Sequence, residues 1–61
     1  MSKFAAGTEH SSLDIAVIAA EAMREQGCDT SPTNGSHGSR FAFVIITLPN
    51  GQQFKLQVEE L

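Results

Sequence analysis

Apolar positions along this chain change their spacing twice. From Leu13 to Met23 they recur on a helical repeat, from Phe41 to Leu48 they run almost unbroken, and from Phe54 to Val58 they alternate with polar residues. The first pattern predicts a helix over 12–26. Ser11-Ser12-Leu13-Asp14 has the spacing of a capping box, in which Ser11 accepts from the amide three residues on and Asp14 reaches back. Asp14 also lies in the first turn, where a negative charge suits the helix dipole. Alanines, Glu21, Met23, Arg24, Glu25 and Gln26 sustain the helix, and Gly27 is placed to close it.

On a wheel with about 100° per residue, Asp14, Glu21 and Glu25 share a narrow sector. Leu13, Ile15, Ala16, Val17, Ala19, Ala20, Ala22 and Met23 sweep an apolar arc of roughly 220°, where a helix lying on one sheet needs somewhat more than about 100°. That excess calls for a second packing partner. The small residues at its centre, Ala16, Ala19 and Ala20, would let another helix or a sheet approach closely.

The second and third patterns predict a β-hairpin over 40–48 and 52–59, joined by Pro49-Asn50-Gly51. Two turns compete. A type I′ turn at Asn50-Gly51 would pair Pro49 with Gln52; a type I turn centred on Pro49 and Asn50, with Gly51 as a left-handed bulge, would pair Leu48 with Gln52. Proline favours the first central position of a type I turn, so the second is preferred. It sets Ile46 opposite Phe54, Val44 opposite Leu56 and Ala42 opposite Val58, which builds one continuous apolar face for the helix. The other face carries Phe41, Phe43 and Ile45 beside Gln53, Lys55 and Gln57. A strand apolar on both sides belongs in the middle of a sheet or beneath a second layer, and an isolated hairpin has no middle. Nothing in the sequence blunts the edge of the first strand.

Residues 28–39 consist almost wholly of turn formers and helix breakers and are expected to form a flexible loop; residues 1–10 are expected to be a mobile tail, with 11–61 as the single domain. The predicted fold class is therefore α+β: one N-terminal helix and a two-stranded antiparallel hairpin, completed by homo-oligomerisation into a four-stranded sheet across a dimer.

Size sharpens the need for a partner. A chain of 61 residues makes at most a marginal domain, and such chains usually rely on disulfides, a metal or a second subunit. Cys28 is the only cysteine, so no intrachain disulfide forms, and a lone thiol fits a reducing, cytoplasmic setting. No apolar run is long enough for a membrane span. Leaving Phe41, Phe43 and Ile45 exposed would forgo about 1.5–3 kcal/mol each, against a net stability near the lower end of about 5–15 kcal/mol.

Charge narrows the partners. The net charge is −3, and Lys3, Arg24, Arg40 and Lys55 are scattered, which argues against nucleic acid. Chemistry-bearing residues are few. His10, Cys28, Asp29 and His37 lack the short spacings of a zinc site, so no metal is expected. Cys28 with His37 would need a third, orienting group to act as nucleophile and base, and none is evident. Asn34-Gly35-Ser36-His37-Gly38-Ser39 lacks the lysine and the following helix of a phosphate loop. No catalytic or cofactor-binding residues are expected.

What remains is a reading as a small non-catalytic interaction protein (a regulator, adaptor or inhibitor) that pairs with itself as a homodimer and with another protein. Phe41, Phe43, Ile45, Ala16, Ala19 and Ala20 are the candidate interface, and Asp14, Glu21 and Glu25 a candidate polar face for a partner. The alternative is a small oligomeric enzyme or ligand binder whose site forms between subunits, using His37, Arg40 or Cys28.

Overall fold

In the computed structural model the described residues are 7, 9–35 and 40–61. The expected mobile tail falls largely outside them, as do Ser36, His37, Gly38 and Ser39. The element order is α1 (Ser12–Glu25), β1 (Asp29–Thr30), β2 (Asn34–Gly35), β3 (Phe41–Thr47) and β4 (Gln53–Glu59). The class is α+β, with one helix on an antiparallel sheet of four strands.

Both ends of α1 follow from local sequence. Ser11 is the N-cap: its hydroxyl accepts from the Asp14 amide at 3.2 Å, and the Asp14 carboxylate accepts from the Ser11 amide at 3.3 Å. At the other end the Gly27 amide donates to the Arg24 carbonyl at 3.0 Å, and the Cys28 amide to the Met23 carbonyl at 3.1 Å. This pair of bonds is a Schellman closure, and its usual hydrophobic contact is made by Met23 against the cluster that holds Cys28.

The turn between β3 and β4 is the bulged form. Gly51 donates to the Leu48 carbonyl at 2.9 Å and Leu48 donates to the Gln52 carbonyl at 2.8 Å. Gly51 has φ +91°, while no other type of residue among those described has positive φ, so Asn50 is not in the geometry a type I′ turn requires. The register follows: Ile46 faces Phe54, Val44 faces Leu56 and Ala42 faces Val58.

The segment after the helix departs from the expected loop. Asp29–Thr30 pairs with Thr47 and Ile46, and Asn34–Gly35 pairs with Phe43 and Ala42, so both short strands lie on the edge of β3 that faces away from β4. Between them Ser31 continues the ladder with one backbone and one side-chain bond. Its amide donates to the Ile45 carbonyl at 2.9 Å, and its hydroxyl accepts from the Ile45 amide at 2.9 Å. The two-stranded hairpin is thus a four-stranded sheet within one chain, and the edge of the first hairpin strand is covered by residues 29–35. β3 has its middle without a second molecule.

The core sits between α1 and β3. Ser12, Ala16 and Ala20 form the buried line of the helix, one turn apart, and meet Ala42, Val44 and Ile46 on the sheet. Ala16 and Ala20 are 0% and 1% exposed, with Val44 at 0%, so these small side chains bring the helix axis down onto the strand. Gly35 allows a second close approach: a Cβ there would lie 2.9 Å from the Cβ of Ala42, and its φ is +150°.

Gly35→Ala is therefore expected to cost about 1–3 kcal/mol through backbone strain and the clash with Ala42. Ser31→Ala, which leaves the Ile45 amide without its acceptor, should cost about 1 kcal/mol. Urea unfolding followed by circular dichroism measures both, with Thr33→Ala as the control expected to stay within about 0.5 kcal/mol.

Candidate interaction surface

The sheet has one face under α1 and one face with no described element over it. The uncovered face carries Phe41, Phe43 and Ile45 from β3, because odd positions of that strand point away from the helix. Phe41 and Phe43 stand 6.2 Å apart between ring centroids at 51°, a tilted aromatic pair. The Lys55 ammonium lies 4.6 Å above the Phe43 ring. A cation over a partly exposed ring contributes about 0.5–1 kcal/mol and covers part of the apolar surface with its methylene stem. Phe43 and Ile45 are half-buried, while Phe41 is 37% exposed.

A second apolar strip lies at the free side of the sheet. α1 sits over β3, so the inward residues of β4 are only partly sheltered. Leu56 and Val58 are half-buried and Phe54 is 52% exposed. Phe54 lies on the apolar face expected to meet the helix, but the narrow contact line Ser12–Ala16–Ala20 leaves it uncovered by α1. The helix flanks tell the same story, since Leu13, Ile15, Val17, Ile18 and Ala19 are half-buried.

The remaining candidates divide clearly. Ala16 and Ala20, expected at an interface between molecules, pack instead against this chain's own sheet and have no surface left for a second molecule; Ala19 lies on the flank. Asp14 is engaged in the helix cap, and with half-buried Glu21 and exposed Glu25 it borders one side of α1. Arg24 donates to the Thr30 hydroxyl, tying the end of α1 to β1. Arg40 reaches Glu60 at 3.5 Å, an exposed pair worth little to stability.

Cys28 is a free thiol, 8% exposed, within the cluster formed with Ala20, Val44 and Ile46. It packs in that cluster two residues past the helix cap, and His37, the base that a nucleophilic Cys28 would need, lies outside the described residues. Among the described residues no three His, Cys, Asp or Glu side chains converge to hold a metal, and no helix is long and apolar enough to cross a membrane. A shallow pocket of about 190 Å³ opens beside the start of α1, lined by His10, Ser12, Ile15, Val58, Glu59 and Glu60. Its polar lining comes from His10 and the exposed Glu59 and Glu60, whereas the Ser12 hydroxyl is sealed from solvent and has no hydrogen-bond partner among the described residues.

Burial of Cys28 predicts slow alkylation by iodoacetamide in native buffer and fast alkylation in denaturant, followed by mass. Rapid native labelling would contradict the packing role. No protein-family model, curated protein or solved structure matches the chain, so its function has to be argued from these surfaces alone.

Proposed function

We propose that the chain is a small non-catalytic interaction protein, acting as a homo-oligomer and through protein–protein contacts as a regulator, adaptor or inhibitor. The observation that carries this reading is the outer face of the sheet, over which no element packs among the described residues. A central strand built for burial on both faces has a helix on one side and, on the other, the Phe41–Phe43 pair with Lys55 lying over the Phe43 ring. Phenylalanine is among the residue types enriched where proteins bind one another, because an aromatic ring offers large area with few rotors to freeze. The acidic side of α1, with Glu21 and Glu25, supplies charge that would orient a basic partner.

Affinity recovery from cell lysate, with identification by mass spectrometry, tests the proposal. A partner held by the wild-type chain should be lost, by about tenfold or more, with Phe41→Ser, which removes an aromatic anchor from an exposed position. Glu21→Lys with Glu25→Lys should weaken recovery by a smaller factor. Circular dichroism melts establish that each variant folds. Equal recovery by the wild type, Phe41→Ser and Phe43→Ser defeats the reading.

A further inference from the structure

We propose that two copies of this chain join through β4, edge to edge and antiparallel, with Leu56 of each copy on the twofold axis. The inference deepens the reading of the chain as a homo-oligomer and rests on it. Its starting point is that, among the described residues, only one long edge of the sheet is left. β3 has β4 on one side and β1, Ser31 and β2 on the other, so the described residues offer a second molecule no free ladder there.

Backbone direction on β4 is fixed by its pairing. Gln52 gives its carbonyl to Leu48, and Glu60 gives its amide to Arg40. Even-numbered residues between them therefore direct their backbone groups at β3, and Gln53, Lys55, Gln57 and Glu59 direct theirs outward. Four residues with outward amides and carbonyls on a seven-residue strand make a template for another strand. The usual protection of such an edge is a lysine standing over it. Here Lys55 is drawn the other way, with its ammonium over Phe43 on the neighbouring strand.

The side chains are self-complementary in one register. With Leu56 opposite Leu56 of the second copy, Phe54 faces Val58, Lys55 faces Gln57 and Gln53 faces Glu59, each twice. No like charges stand directly opposite, and the whole of β4 is paired. The partly exposed apolar strip Phe54–Leu56–Val58 becomes continuous across the axis on the helix side, which shelters the 52%-exposed Phe54. A register shifted to place Gln57 on the axis leaves Phe54 opposite Glu60. One shifted to place Lys55 on the axis sets lysine against lysine.

Residue 57 is an exposed position with its side chain on the outer face, so it reports the register without touching the core. Sedimentation velocity across a concentration series would compare wild type, Gln57→Glu and Gln57→Lys. Gln57→Glu sets a carboxylate opposite each Lys55 and should tighten the dimer by about three- to tenfold, whereas Gln57→Lys should weaken it by a similar factor. Weakening by both substitutions would mean that residue 57 faces itself, and would overturn the register. A dimer indifferent to both would overturn the β4 edge while leaving self-association standing, and a wild-type monomer at every concentration would overturn both. Should the variants fail to fold, half-isotope-labelled wild type supplies the same answer. Intermolecular contacts between the Hα atoms of Phe54 and Val58 are expected, and their absence in a dimer counts against the proposal.

Discussion

The ladder around β3 is the constraint on which the rest of the molecule depends. Its residues carry apolar side chains on both faces and backbone groups on both edges, and each set has to be satisfied. β4 satisfies one edge through a bulged turn whose register is set by Pro49 and Gly51. The other edge is satisfied by a stretch with almost no hydrophobic content, Asp29 to Gly35, which contributes backbone bonds and one serine hydroxyl. Division of labour is visible here: apolar side chains on β3 provide the burial, and a polar segment provides the hydrogen bonding that lets β3 be buried.

Placement of the helix follows from the same strand. Ser12, Ala16 and Ala20 present so little bulk that α1 settles directly over Ala42, Val44 and Ile46 and excludes solvent from them. Close approach has a geometric consequence. A helix lowered onto one strand shields its neighbour poorly, and larger residues on its flanks are left half-covered. The apolar surplus of the chain is thus not gathered in one place but divided between the flanks of α1, the inward side of β4 and the outer face of β3.

Which of these features could be read from the sequence depends on whether their causes are local. The cap at Ser11 and Asp14, the closure at Gly27 and the bulge at Gly51 each depend on a few consecutive residues, and so do the helix and the β3–β4 register. The pairing of 29–35 was illegible for a physical reason. Strands of two residues have no period, and a segment held by its backbone and by Ser31 leaves no hydrophobic trace. The doubly apolar strand therefore reads, from sequence, as needing a second molecule for its middle, whereas the chain supplies the middle itself. The alanine stripe was legible as a close-approach surface, but not which element would approach it. The aromatic pair was legible as a surplus, because one helix can cover only one face of β3. Lys55 over Phe43 was not, since it depends on the rotamer of a long side chain reaching across the register.

The two surfaces left over are geometrically linked. Antiparallel pairing of two identical edges places the twofold axis perpendicular to the sheet, so that both helices fall on one side and both outer faces on the other. If β4 edges are the means of assembly, the Phe41–Phe43 pairs of two copies would look in the same direction from a single continuous sheet. A surface too small to hold a partner firmly as one patch would then be offered twice, at a fixed spacing and without a flexible linker. The second contact to a partner long enough, or itself dimeric, becomes intramolecular, and the gain in avidity needs no further contact area. For a chain of 61 residues this matters more than for a large one, because a standard interface takes about 800 Å² from each partner. Edge pairing and aromatic display, as proposed, would be parts of one solution: the first would enlarge and orient the surface that the second would make adhesive.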